Sequence, residues 1–229
     1  GGYDHFMLKE IHEQPKAIRD TLSGRLKDGE VDLSNEVKLT KEQIQEIEKI
    51  HFVACGTAYH AGLVGKYVLE DLARIPVEVD VASEYRYRNP LITEKTLVVV
   101  ISQSGETADT LAALREAKKH GARVLAITNV VGSSVSREAD DVIITWAGPE
   151  IAVASTKAYT SQLIAIYMLG IYLAQVRGGK SREELAEIIR HLEELPEKAE
   201  QVLGQTDVVE QFARDIASHE HLFFLGRGL

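Results

Sequence analysis

The 229-residue sequence has little of what several classes of protein require. It contains a single cysteine, Cys55, which excludes an intramolecular disulfide and favours a reducing compartment such as the cytoplasm. It has no run of about 18 apolar residues, and the longest candidate, 163–174, is too short to cross a bilayer. The N-terminus also lacks a signal-peptide pattern. We therefore expect a cytoplasmic protein without a membrane segment.

Positive charge and familiar ligand motifs are also scarce. Lys and Arg number 26 against 35 Asp and Glu, a net charge of −9, so a nucleic-acid surface is not expected. The eight histidines show neither H-E-x-x-H nor clustered Cys/His spacing, so no metal site is predicted. A G-x-x-x-x-G-K-[ST] loop and a complete G-x-G-x-x-G are both missing, which argues against nucleotide binding. Any phosphate-binding site must therefore be formed by a small group of residues rather than by a broad basic surface.

What is present is a regular alternation of strand and helix patterns. Apolar runs typical of buried strands occupy 51–55, 77–81, 97–101, 123–128 and 142–145. Helical patterns lie between them over 58–73, 108–120 and 133–138. This alternation predicts an α/β fold, a three-layer αβα sandwich with a five-stranded parallel sheet and helices on both faces.

Further helical patterns flank this alternation, at 5–22, 41–49, 156–176 and 182–203. We expect three parts: an N-terminal helix and linker over 1–40, the sheet domain over 41–205, and a second, truncated copy of that domain from 206 to 229. The second copy is inferred because 215–226 repeats the order of 46–57, helix end, apolar strand and glycine. Coincidence between two strands of average composition is the alternative.

The turn after the third predicted strand carries the clearest chemical signal. Ser102, Ser104 and Thr107 supply hydroxyls, and Gly105 lets the backbone turn its N–H groups outward. A helix N-terminus has unpaired N–H donors and partial positive charge, so a phosphate there would gain hydrogen bonds of roughly 1.5–3 kcal/mol each. An ordinary helix cap is the alternative, but a cap needs only one hydroxyl.

Two other turns have similar composition, Cys55-Gly56-Thr57-Ala58 and Val153-Ala154-Ser155-Thr156-Lys157. In a parallel sheet the carboxyl ends of the strands lie along one edge, so these turns could converge on one cleft. For Thr57 and Ser155, helix capping stays open as the alternative role. Lys157 could offer charge, whereas Cys55, which has no paired histidine nearby, is better explained as a structural thiol.

With these residues in view, the chain resembles the sugar-isomerase (SIS) domain family. Within that family it is most similar to the isomerase region of the glutamine-dependent aminotransferases that act on fructose 6-phosphate. The resemblance is carried, in order, by the motifs at 7–15 (MLKEIHEQP), 55–57 (CGT), 82–88 (ASEYRYR), 102–110 (SQSGETADT) and 150–157 (EIAVASTK). It therefore covers essentially the whole chain.

The resemblance implies a Rossmann-like, flavodoxin-like sheet and a homodimer whose sugar sites lie near the subunit contact. It implies no metal and no organic cofactor. It also implies a phosphorylated-hexose site made of seven residues: Ser102, Gln103, Ser104, Thr107, Thr57, Val153 and Ser155. The first four would hold the sugar 6-phosphate and the last three would line the sugar.

The resemblance further implies that catalytic residues lie outside this chain. In the family, the cysteine that hydrolyses glutamine belongs to an N-terminal glutaminase domain. The lysine, glutamate and histidine that act on the sugar belong to a second SIS copy. We therefore expect this chain to bind phosphosugar without turning it over, as part of a parent that converts fructose 6-phosphate and glutamine to glucosamine 6-phosphate.

Two other functions of an SIS domain would require sequence features that differ from those of this chain. An SIS-type phosphosugar sensor in a transcriptional regulator should carry a basic helix-turn-helix before the domain, whereas the segment here is acidic to neutral. A simple phosphosugar isomerase would need its acid and base within this chain, and no such pair stands out.

Overall fold

The computed structural model describes residues 2–227; residues 1, 228 and 229, at the ends of the predicted first and last parts, lie outside the described residues. The helices are α1 (Phe6–His12), α2 (Gln14–Leu22), α3 (Lys41–Glu46), α4 (Thr57–Leu72), α5 (Ala82–Tyr85), α6 (Ala108–Lys119), α7 (Ser134–Glu138), α8 (Lys157–Arg177), α9 (Arg182–Leu203) and α10 (Thr206–Ile216). The strands are β1 (Leu26–Lys27), β2 (Glu30–Val31), β3 (Lys49–Ala54), β4 (Val77–Val81), β5 (Thr96–Ser102), β6 (Arg123–Thr128) and β7 (Asp141–Ile144).

The main sheet has the order β4-β3-β5-β6-β7, and every neighbouring pair is parallel. The predicted three-layer α/β fold is thus confirmed. A small antiparallel hairpin, β1 with β2, was not predicted. Its two-residue turn is Asp28-Gly29, with φ of 54° and 75°. That dipeptide is typical of a type I′ hairpin turn, so the signal was present in the sequence.

The continuous apolar run of β5 is explained by burial on both faces. Val99 and Ile101 belong to a core shared with α4 and α8, whereas Val98 and Val100 belong to a second core with α6 and α7. Successive side chains of a strand point to opposite faces, so a strand between two helical layers has apolar surroundings on both sides. Strand β5 is therefore the centre of the domain, and its end lies at the middle of the sheet edge.

Helix α8 is long and apolar enough to cross a membrane if only length and composition are considered. In the fold, however, 61% of the most apolar 18-residue stretch of α8 is buried inside the domain. At Gly170 an added Cβ would lie 3.2 Å from Leu72 and 3.3 Å from Leu69, so α8 packs closely on α4. This burial agrees with the buried helix expected over 163–174.

The N-terminal segment forms two helices where one was predicted over 5–22. Glu13 separates α1 from α2, and Pro15 lies in the first turn of α2, where its missing N–H is tolerated. The side chain of Gln14 donates to the Ile11 carbonyl at 3.1 Å, replacing the backbone donor that Pro15 lacks. Residues further along this segment, including Ile18, join the core that contains α8.

The C-terminal residues differ from the expected start of a second copy in one respect. Helix α10 begins at Thr206, near the predicted boundary, and none of its residues is buried. The apolar residues Leu222–Leu225 form no strand within the described chain, and Phe224 is 97% exposed. A strand needs a hydrogen-bonding neighbour, and the main sheet ends at β4 and β7 without pairing to this segment.

A buried histidine should make stability depend on pH. His51 on β3 is 1% exposed, with Nδ1 3.2 Å from the Tyr85 hydroxyl and Nε2 3.4 Å from a Glu78 carboxylate oxygen. Burial lowers the pKa of His51 from 6.5 to about 4. Between pH 6.5 and about 4, His51 is therefore protonated in the unfolded chain but not in the folded chain, so the free energy of unfolding decreases as the pH falls through this range.

We expect His51→Gln to remove about 2 kcal/mol of the stability difference between pH 7 and pH 5, measured by urea unfolding. His191→Gln, at a histidine 53% exposed on α9, controls for the substitution itself. Equal pH dependence in the wild type and His51→Gln would contradict the prediction.

Candidate functional site

A cavity of about 230 Å³ lies at the carboxyl ends of β3 and β5, between the starts of α4, α6 and α8. The chain leaves β3 toward β4 on one side, while β5 lies on the other, so this is the switch point where ligands of parallel sheets bind. All seven predicted residues line the cavity: Thr57, Ser102, Gln103, Ser104, Thr107, Val153 and Ser155. The structure therefore brings together three turns that are distant in sequence.

The turn from Ser102 to Thr107 is held by its own hydroxyls. The Ser102 Oγ accepts the Gly105 N–H at 3.0 Å and lies 3.0 Å from the Thr107 Oγ1. The Ser104 Oγ accepts the Glu106 N–H at 3.2 Å. Gly105 has a φ of 66°, which folds the backbone tightly between strand and helix. These bonds fix the shape of the turn.

None of the helices that start at the cavity is capped by the side chain of its own capping residue. The capping residues of α4, α6 and α8 are Gly56, Thr107 and Thr156, and none makes a side-chain capping hydrogen bond. By contrast α3 and α9, which begin elsewhere, have complete capping boxes. The capping role considered for the turn hydroxyls is therefore not the one they fill, and the N-termini of α4 and α6 direct partial positive charge toward the cavity.

Thr57 and Ser155 are likewise not the caps that sequence left open. Helix α4 begins at Thr57 itself, one residue earlier than expected, with Gly56 as its capping residue. Helix α8 is preceded by Thr156, and the Glu150 carboxylate, not Ser155, accepts the N–H groups of Thr156 and Ala158 at 3.0 Å each. Both hydroxyls are therefore left to face the cavity.

No cationic side chain is among the residues that line this cavity, all of which lie within 2–227. Lys157, which sequence suggested as a source of charge, is 4% exposed, and its Nζ donates to Glu13 at 2.6 Å. That hydrogen bond, with a second from Lys9, lowers the pKa of the Glu13 carboxyl. The attraction for an anion must therefore come from backbone N–H groups, hydroxyls and helix dipoles.

Two lining residues were missed by sequence reasoning as site residues. Thr110 and Gln162 are 0% and 3% exposed, and the Thr110 Oγ1 and Gln162 Oε1 have no hydrogen-bond partner among the described residues. Buried polar atoms of this kind normally have a partner. Thr110 lies three residues after Thr107, on the same helical face, which could have predicted it. Gln162 had no such signal because its position depends on how α8 packs.

A larger groove, about 710 Å³, lies between α2, α8 and α9 and is lined mainly by apolar side chains such as Ile18, Leu163 and Leu192. Its donors, such as His191 and Lys198, are side chains on helices rather than the backbone N–H groups of a turn. The smaller cavity is therefore the better site for a phosphorylated ligand, because the hydrogen-bond donors that line a cavity matter more for such a ligand than its volume.

Comparison with known proteins shows the family of this chain. Residues 43–172, more than half of the chain, match the SIS domain family. The chain belongs to the SIS domain family. The matched region of this SIS domain contains β3 to β7 and the beginnings of α4, α6 and α8, so it includes the whole cavity.

Curated relatives of this SIS domain are similar over its whole length. It is 62% identical over 229 residues to the glutamine–fructose-6-phosphate aminotransferase (isomerizing) of Clostridium acetobutylicum, covering 100% of the chain and 38% of that protein. It is 54% identical over 227 residues to the Streptomyces coelicolor protein of the same name, covering 99% and 37% respectively. The chain thus spans little more than a third of the length of these relatives.

Solved structures share the fold. The C-terminal domain of glucosamine-fructose-6-phosphate aminotransferase from Francisella tularensis superposes with a TM-score of 0.94 at 41% identity, covering 99% of this chain and 64% of that chain. A glucosamine-6-phosphate deaminase from Thermotoga maritima superposes with a TM-score of 0.65 at 24% identity, covering 84% and 54%. The similarity to the second structure supports the fold only.

Proposed function

We propose that this chain is the phosphosugar-binding half of the isomerase region of a glutamine:fructose-6-phosphate aminotransferase. The observation that carries the proposal is the cavity at the ends of β3 and β5, where hydroxyls and the N-termini of α4 and α6, which have no side-chain cap, meet without a cationic side chain. Such a site suits a phosphate dianion, which gains charge-assisted hydrogen bonds from N–H and O–H donors. The names of the similar proteins, which include fructose 6-phosphate, support that sugar phosphate as the ligand.

Within this proposal, the turn formed by Ser102, Gln103, Ser104 and Thr107 holds the 6-phosphate. Thr57, Val153 and Ser155 line the sugar. Val153 is fully exposed and Ser155 is half-buried, as suits residues near the mouth of a site. The phosphate thus binds over the end of β5, and the sugar extends toward the loop before α8.

The remaining parts of the proposal concern the parent protein. Residues 1–40 are the linker and N-terminal helix, 41–205 the first SIS domain, and 206–229 the start of a second. The partners of this chain would be a glutaminase domain, that second SIS domain and a second subunit in a homodimer. The parent would work in the cytoplasm, in keeping with the free thiol of Cys55, and make glucosamine 6-phosphate from fructose 6-phosphate and glutamine.

The proposal predicts that Ser104→Ala weakens binding of glucosamine 6-phosphate by about 5- to 150-fold, because it removes one hydrogen bond to a dianion and loosens the turn. Isothermal titration calorimetry on the 229-residue chain measures this. Ser181→Ala is the matched control, since its Oγ also accepts a backbone N–H at 3.2 Å, from Glu184, but at the start of α9. Wild-type affinity in Ser104→Ala would count against the phosphate site.

A further inference from the structure

The N-terminal helix α1 places a buried carboxylate against the site. Glu10 is 2% exposed, although a glutamate on a short terminal helix would normally face solvent. Its Oε1 accepts the Ile151 N–H at 2.6 Å, and its two oxygens lie 3.3 and 3.2 Å from the Ala152 nitrogen. Glu10 therefore binds the backbone of a segment 141 residues away.

That segment is the connection from β7 to α8, residues 145–156, which carries Val153 and Ser155 into the cavity. It contains no helix or strand, so side chains must hold it. Asn129 accepts the Ala147 N–H at 2.8 Å near its beginning, and Glu150 accepts the Thr156 N–H near its end. Glu10 holds the middle, immediately before Val153 and Ser155.

The two residues that follow α1, Glu13 and Gln14, are tied to α8 by two more contacts. Glu13 pairs with the buried Lys157, and the Gln14 Oε1 accepts the Thr160 hydroxyl at 2.6 Å. These contacts fix α1 relative to the start of α8, so Glu10 reaches the connection from a rigid support. A displacement of about 1 Å at a binding or reacting group can have a large effect.

We propose that Glu10 is a positioning residue that holds residues 150–155 so that Val153 and Ser155 face the bound sugar. The inference rests on the proposed function for the identity of the ligand. It assigns to the N-terminal segment a part in the sugar end of the site, while no hydrogen bond among the described residues joins Glu10 to the phosphate end, the turn after β5. Loss of Glu10 should therefore affect sugar binding and phosphate binding differently.

The test is binding of glucosamine 6-phosphate and of inorganic phosphate to the 229-residue chain, each by calorimetry. Glu10→Ala should weaken glucosamine 6-phosphate binding roughly tenfold or more and change phosphate affinity less than about twofold. Glu10→Gln should lie between, because its amide oxygen can still accept the Ile151 N–H. Ser104→Ala, in contrast, should weaken both ligands.

A buried carboxylate of purely structural role provides the control. Asp141, at the opposite edge of the sheet, is 2% exposed, accepts the Lys38 N–H at 2.7 Å and pairs with Arg123. Asp141→Asn should lower the unfolding midpoint and leave both affinities unchanged at a temperature where the chain is folded. An equal loss of sugar affinity in Asp141→Asn and Glu10→Gln would reduce Glu10 to a structural acid and overturn the proposal.

Amide hydrogen exchange gives a readout that needs no ligand. Exchange at Ile151 and Ala152 should be faster in Glu10→Gln and Glu10→Ala than in the wild type, with the turn at 102–107 unchanged. Wild-type exchange or wild-type sugar affinity in Glu10→Ala overturns the positioning role. A wild-type chain that binds no phosphosugar overturns the proposed function instead, so the two failures can be told apart.

Discussion

Gly105→Ala is expected to abolish measurable phosphosugar binding and to lower the free energy of unfolding by about 2–5 kcal/mol. A Cβ at this residue would lie 2.1 Å from the Ser133 Oγ and 2.9 Å from the Thr128 Oγ1. The residue also has a φ of 66°, which costs an alanine roughly 1–2 kcal/mol. The turn would have to open to relieve both effects, and its N–H groups would leave the cavity. Urea unfolding and calorimetry measure the two losses.

Two variants separate strain from collision. Gly132→Ala has a φ of 74° and nothing within 4 Å of the added Cβ, so it should show the conformational cost alone. Gly105→Ala combined with Ser133→Gly removes the closest collision and should recover part of the stability and binding, a coupling that a double-mutant cycle measures. If Gly105→Ala and Gly132→Ala were equally destabilised, the tight approach at Gly105 would not matter.

The second large effect is expected in turnover. The 229-residue chain should bind fructose 6-phosphate yet exchange its C1 protons with solvent at least about 10²–10⁴-fold more slowly than a complete enzyme. Within the described residues, Glu150 is the only carboxylate that lines the cavity. It already accepts the Thr156 and Ala158 N–H groups at 3.0 Å each, so it serves as the cap of α8 and is poorly placed to act as a base.

Proton NMR in deuterium oxide follows this exchange directly. The full-length Clostridium acetobutylicum relative, named as an isomerizing aminotransferase, is the positive control. Rapid exchange in the 229-residue chain that Glu150→Gln removes would show that the chain contains its own base. That result would favour a simple isomerase over the binding half proposed here.

The strands and helices of the sheet domain were predictable because their signals are local. Strands β4 and β6 have the predicted bounds, and helix α9 begins and ends at the predicted residues. The apolar run of β5 predicted a strand buried on both faces, which the two cores on either side of it explain. The turn at 102–107 was predictable for the same reason, since hydroxyls and a glycine follow that strand directly.

Other features depended on contacts between distant segments. The break between α1 and α2 was missed, since the period of apolar residues continues across Glu13. The predicted strand near the C-terminus did not form within the described residues, because an apolar run becomes a strand only beside a neighbour. The role of Lys157 was left open by the sequence, because its partner Glu13 lies 144 residues away.

By itself the sequence determined the α/β fold, the order of its strands and helices, and the chemistry of each turn that lines the cavity, because apolar periodicity and turn composition act over a few residues. Only the tertiary structure decided that the hydroxyls of those turns are not helix caps, that Gln162 reaches the cavity, and that Glu10 holds the Ile151 backbone. Those facts depend on how α1, α6 and α8 pack against the sheet, and no local pattern specifies the distance between side chains on separate elements.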